Sequence, residues 1–214
     1  MGGSVTWTGL GLSRQNTYGH VDTGLCSHGN QHMEVELIRI VRIGFFDGGS
    51  RGKPGAGGSG SVVVEYDHAT DTCRPMWIVA TSLIQPPTTK NVAEFVGLHR
   101  LLSRAAASEW TGIHIVGDSA MVLGLMQRKV PPKAPRLQHW YRLSRKLAEQ
   151  CRVASWKHHY RAGNRMADWI ANYGMDKGKR VVICAMDTAD KHELYKGVDE
   201  KMKGDVGRWL GRAD

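Results

Sequence analysis

The order of the periodic segments constrains this chain more than any other feature. Leu37–Phe46 (LIRIVRIGFF) is rich in β-branched and aromatic residues and predicts a strand. Asp47–Ser61 then holds seven glycines and a proline, which predicts a loop. Val62–Tyr66 and Met76–Thr81 predict two more strands, completing an antiparallel meander. A helix opens near Asn91, with Phe95, Leu98, Leu101, Leu102 and Ala105 on one stripe. Ile113–Val116 predicts a short buried strand, after which Ser119 caps a short helix through Met126. The segment RKVPPKAP ends that helix, and Leu137, Trp140, Tyr141, Leu147 and Cys151 mark another. Val153–Lys157 alternates as a last strand, and Asn164 caps a final helix bearing Met166, Ile170 and Tyr173. This β-β-β-α-β-α-α-β-α order predicts an α/β domain. Its mixed five-stranded sheet has three antiparallel strands and two added in parallel through helical crossovers, with helices flanking it.

The pattern occupies 36–176 of the 214 residues. Residues 1–35 hold seven glycines and no sustained periodicity, and read as a flexible tail. Residues 177–214 read as a basic C-terminal extension, with the Lys-rich stretch Asp190–Lys203 an exposed, solvated helix. The net charge of +9 (29 Lys+Arg against 20 Asp+Glu) lies in the folded part: 36–176 carries 19 basic and 11 acidic residues. Such an excess favours an anionic partner, nucleic acid foremost. A hydrophobic content of 41% excludes a wholly disordered chain. No apolar run reaches the roughly 18–20 residues of a membrane span, so no membrane association is expected. The start lacks the pattern of a secretory signal. Cys26, Cys73, Cys151 and Cys184 form no CxxC pair, which fits an intracellular, reducing compartment: nucleus, mitochondrion or cytoplasm. The oligomeric state stays open.

Four of the core's acids sit at the ends of predicted elements. Asp47 and Asp118 end strands, while Glu94 and Asp168 lie in first helical turns. Strand ends beside helix starts are where open α/β sheets gather ligands. Four carboxylates in one cleft could not all stay ionised without a cation, and hard oxygen ligands suit Mg²⁺ or Mn²⁺. Taken singly, each is equally a cap or a surface charge.

The motifs FFDGGSRGKPGAGGSG, NVAEF, IVGDSA and RAGNRMADWIAN follow in that order, each with its acid in place. Together they resemble the ribonuclease H family, most closely its plant-type, retroelement-associated branch, over about residues 36–176. The resemblance implies a ribonuclease H-like fold. It also implies an endonuclease that cuts the RNA strand of RNA–DNA hybrids with two Mg²⁺ (Mn²⁺ as a possible substitute), leaving a 5′-phosphate and a 3′-hydroxyl. Asp47 would bridge both metals, Glu94 and Asp118 would hold the first and orient the attacking water, and Asp168 would complete the second site. Two such cations can activate water and stabilise the leaving oxygen, so no Ser or Cys nucleophile is expected. A side chain before the last acid assists product release in the family. Arg161 is favoured here over His158 and His159.

Contacts to nucleic acid are expected from Gly48, Gly49, Ser50, Lys53, Thr89, Lys90, Asn91 and Ser119. Relative to the family's hybrid readers, this chain has Lys53 for an asparagine, Lys90-Asn91 for two amides, and Ala120 for a glutamine; Thr89 is kept. Lysines in place of amides exchange base-edge and 2′-hydroxyl bonds for phosphate attraction. Arg128 through Arg165 adds eleven basic residues against one acid, Glu149, beginning with Arg128, Lys129, Lys133 and Arg136. Such a surface would make binding steeply salt dependent. The interleaved Trp140 and Tyr141 fall on the apolar stripe and read as core.

The rival reading is a catalytically weak or inactive nucleic-acid-binding module of the same fold, such as a ribonucleoprotein subunit. Loss of a metal ligand would mark it, and all four acids are present. Cys26, His28 and His32, with His20, form a partial metal-ligand set that reads as a chance cluster. Met1-Gly2 with Thr6 matches a short myristoylation pattern of low specificity.

Overall fold

The computed structural model describes residues 40–184 and 192–212. The tail 1–35, with its histidines, Cys26 and acylation pattern, lies outside the described residues. Strands β1 (Ile40–Gly52), β2 (Gly55–Asp67) and β3 (Thr72–Thr88) form the expected antiparallel meander. Helix α1 (Lys90–Ala107) leads to β4 (His114–Gly117), which pairs in parallel with β1. Helices α2 (Ala120–Arg128) and α3 (Pro135–Gln150) then lead to β5 (Ser155–His158), parallel to β4. A 3-10 turn, Arg161–Gly163, precedes α4 (Arg165–Lys177).

Among the described residues the sheet has six strands rather than five. β6 (Val181–Cys184) pairs antiparallel with β3, giving the order β5-β4-β1-β2-β3-β6. Helix α5 (Glu193–Trp209) follows, and it is no solvated appendage. Leu194, Val198, Met202, Val206 and Trp209 recur at three- and four-residue steps and are buried. They complete an apolar layer with Ile43, Phe45, Val62, Val64, Met166 and Ile170. The opposite sheet face, including Phe46, Val63 and Ile115, packs on α1, α2 and α3. The β-strand alternation of side chains thus divides one sheet between two cores. Tyr141 is buried and Trp140 packs against the second core, as their spacing predicts. Among the described residues no helix is long and apolar enough to cross a membrane.

A second difference concerns Asp47–Ser61, which is hairpin rather than loop, turning only at Lys53-Pro54. Its glycines serve close approach. A Cβ on Gly48 would lie 2.1 Å from the Ala93 carbonyl carbon and the Glu94 nitrogen, and one on Gly60 would lie 2.4 Å from the Ala167 oxygen. Helices α1 and α4 therefore rest backbone against backbone on opposite faces of the hairpin.

Candidate metal centre and nucleic-acid cleft

Sheet register brings the first two strand-end acids together. Phe46 pairs with Gly117, so Asp47 and Asp118 follow side by side on adjacent parallel strands. Helix α1 brings in Glu94. Its cap is Thr89, whose Oγ1 accepts from the Val92 nitrogen at 3.4 Å, and Gly48 lets its first turns settle on β1. One carboxylate oxygen from each of Asp47, Glu94 and Asp118 lies within 4.8 Å of the other two.

The burial of these groups is unusual for acids. Asp47 is 4% exposed and Glu94 0%. Both Glu94 oxygens and Asp118 Oδ1 are buried without a hydrogen-bond partner. Burial, then the charge of Asp118, pushes Asp47 up to about 8, against the opposing Gly48 amide bond. Burial, then the charges of Asp47 and Asp118, pushes Glu94 up to about 9. Lys90 Nζ, 3.5 Å from Glu94 Oε1, opposes the rise in both acids. Desolvated carboxylates this close repel one another, and a cluster of oxygens so short of hydrogen bonds is the donor set of a hard divalent cation. The residues fit a metal.

Asp168 stands apart from that triad. It lies in the first turn of α4, its side chain 27% exposed, in a cleft of about 260 Å³ that Asp47, Gly48, Gly49, Ser50 and Lys90 also line. Arg161 Nε donates to Asp168 Oδ1 at 3.0 Å and the guanidinium forms an ion pair with it, which raises the Arg161 pKa further. Arg161 lines the cleft. His158 instead donates from Nε2 to the Asp118 carbonyl at 3.1 Å, and His159 is half-buried, with burial lowering its pKa.

The other expected contact residues occupy three places. Ser50 Oγ bonds the Gly52 and Thr88 carbonyls at 2.8 and 2.9 Å, tying the hairpin to the start of α1. Lys53 is exposed at the hairpin tip, and Thr89 and Asn91 are exposed at the head of α1. Ser119 Oγ accepts from the Val122 nitrogen at 3.4 Å as the cap of α2. Arg128, Lys129, Lys133 and Arg136 are exposed between α2 and α3 and do not line the cleft.

Three features escaped sequence reasoning. Lys90 is an internal partner for Glu94, a signal present in its i,i+4 spacing. Arg51 pairs with Asp176 across the cleft rim. Asn164 makes no capping bond with its side chain; Nδ2 donates instead to the buried Phe46 carbonyl at 2.9 Å. That bond ties the start of α4 to the residue before Asp47.

A family model described as reverse transcriptase-like matches residues 45–174. A curated relative, the bifunctional protein Rv2228c of Mycobacterium tuberculosis, is 34% identical over 143 residues, covering 67% of this chain. The chain spans 38% of that relative's length. Among solved structures, the N-terminal RNase H domain of that same protein is similar at 32% identity and a TM-score of 0.57, covering 64% of this chain and 95% of that one. RNase H1 of the halophilic archaeon Halobacterium salinarum is similar at 27% identity and a TM-score of 0.55, covering 64% and 98%.

Proposed function

The chain belongs to the ribonuclease H family, by its match to the reverse transcriptase-like model, and from that premise we propose a metal-dependent endonuclease that hydrolyses the RNA strand of RNA–DNA hybrids. The observation that carries this reading is the convergence of Asp47, Glu94 and Asp118, with buried oxygens of Glu94 and Asp118 lacking hydrogen bonds, beside an open cleft that Asp47 lines. The relatives described as RNase H domains support the choice of substrate.

Asp47, Glu94 and Asp118 would hold one divalent cation, and Asp168, with Asp47, a second; Mg²⁺ is the proposed ion and Mn²⁺ a substitute. When bound, such ions supply the charge that activates a water and offsets the charge growing on the leaving oxygen. The protein's own part is to hold oxygens in place, keep the floor dry and align the strand. Gly48 and Gly49 leave backbone without side chains at the floor, where a sugar–phosphate strand can approach closely. Lys90 lines the cleft, and Lys53, Thr89 and Asn91, exposed at the hairpin tip and the head of α1, would flank the strand's approach. Their lysines attract phosphate rather than read base edges. Arg161 neutralises Asp168 in the free protein and would exchange that pair for the cleaved phosphate, assisting product release.

The test offers labelled RNA–DNA hybrid, duplex RNA and duplex DNA with Mg²⁺, Mn²⁺ or a chelator. The expected result is cutting of the hybrid's RNA strand only, dependent on metal, with 3′-hydroxyl ends. Cutting that survives chelation, or equal cutting of all three duplexes, would refute the assignment. Over a salt series, hybrid binding should weaken steeply, because phosphate contacts from lysine and arginine release counterions.

A further inference from the structure

The first turn of α4 carries Asp168, and the amides at its open end need acceptors. Asn164, the residue placed to cap them, has its side chain committed to Phe46. The acceptor comes from 39 residues further on: Asp205 Oδ2 takes the Met166 amide at 2.7 Å. Asp205 lies in α5, is 0% exposed, and falls outside the matched residues 45–174.

We infer that Asp205 is a positioning residue, whose buried carboxylate fixes the first turn of α4 and through it the placement of Asp168 beside the carboxylate triad.

Several observations converge on this role. Leu194, Val198, Met202, Val206 and Trp209 seat α5 in the same apolar layer as Met166, Ala167 and Ile170. The end of α5 is tied to the parallel strands as well: Lys157 Nζ donates to the Trp209 carbonyl at 3.3 Å and stands over its ring at 4.8 Å. The His114 ring meets the same indole edge-on at 5.0 Å. Burial raises Asp205 to about 6, with the Met166 and Arg165 amides and the charges of Arg165 and Arg208 opposing the rise, so at neutral pH it is an anion. An anion at a helix N-terminus satisfies both the orphan amides and the helix dipole. The Phe46 carbonyl of β1, through Asn164, and Asp205 of α5, through the Met166 amide, therefore both hold the start of α4.

The inference rests on the proposed metal site, and its test reads metal affinity apart from activity. Mn²⁺ binding to the full chain is followed by calorimetry for wild type, Asp205→Ala, Asp205→Asn and Met202→Ala, under conditions where circular dichroism shows each folded. Asp205→Ala is expected to weaken Mn²⁺ binding about tenfold, in the range for removing a group that orients a ligand. Asp205→Asn keeps an acceptor but not the charge, and is expected to weaken binding about two- to threefold. Met202→Ala removes buried packing from α5 without touching the cap. It should lower the melting temperature and leave Mn²⁺ affinity unchanged. On an Asp168→Asn background, Asp205→Ala should have no further effect on binding. Wild-type affinity in Asp205→Ala would overturn the inference, as would an equal loss in Met202→Ala. Should Asp205→Ala fail to fold, Asp205→Asn decides: weakened binding supports the role, and wild-type binding overturns it. A wild type that binds Mn²⁺ with this dependence but cuts no hybrid would remove the proposed activity and leave the positioning role standing.

Discussion

The two sides of the cleft are built differently. On the β1–α1 side, Asp47 and Glu94 are buried among backbone and apolar groups, with pKa values pushed up to about 8 and about 9. On the α4 side, Asp168 is part-exposed and neutralised by Arg161, a side chain 74% exposed. One side stores repulsion that a metal would relieve, and the other is already paired. An exposed ion pair of this kind stabilises by only about 0–1 kcal/mol, so Asp168 can exchange partners easily. Metal affinity should therefore draw most on the buried side, while the exposed side adds the share that Asp168 supplies and governs turnover.

Replacing one acid from each side tests that contrast most strongly. Glu94→Gln should lower hybrid cleavage by more than about 100-fold, beyond the loss of an outer-shell partner, and should also raise the melting temperature of the metal-free protein at neutral pH. Asp168→Asn should lower cleavage while leaving the metal-free melting temperature almost unchanged. Equal effects on stability from the two would erase the difference between the sides. The next largest effect belongs to Gly48→Ala, whose methyl group must displace the Ala93–Glu94 backbone. Overpacking here should cost about 3 kcal/mol, read from urea unfolding, and should impair metal binding along with it. A neutral substitution would mean that α1 does not rest on this hairpin.

The pH dependence of stability sharpens the comparison further. Unfolded carboxyls at these positions titrate near 3.8 and 4.5, the folded ones at about 8 and about 9. The folded state therefore holds its protons to higher pH. The contribution of these groups is full below about 4 and is lost as pH rises through 8 to 9. Melting curves without metal should fall over that window, and added Mg²⁺ should restore most at its upper end. A flat profile in the metal-free protein would contradict the burial argument. The smallest effect is expected at Lys90, exposed yet paired with Glu94. Lys90→Gln removes a competing cation and should tighten divalent binding by a few-fold at most, while weakening hybrid binding at low salt.

The same division explains what the sequence made readable. The buried side is made by short-range motifs, a strand end followed by glycines and a helix start four residues before its acid, and both are visible in FFDGG and KNVAEF. The glycines read as loop because glycine signals a turn and close helix approach alike; only the packing of α1 and α4 distinguishes them. The α4 side depends on partners remote in sequence. Asn164 has the composition of a cap, but Phe46 takes its side chain, and Asp205 comes from a segment whose mixed charges read as solvated. Leu194, Val198, Met202 and Val206 recur every four residues, a stripe that was present to be read. β6 is only four residues long, and edge pairing with β3 leaves little trace in such a segment.

The proposed activity depends on the buried acids holding a divalent cation for cleavage of RNA in a hybrid. Its most direct measurement is cleavage of a labelled RNA–DNA hybrid in Mg²⁺ by wild type and by Asp47→Asn, side by side. Metal-dependent cutting of the RNA strand by the wild type is expected, with a loss of more than about 100-fold in the variant. Equal cutting by both proteins, or none by either, would contradict it.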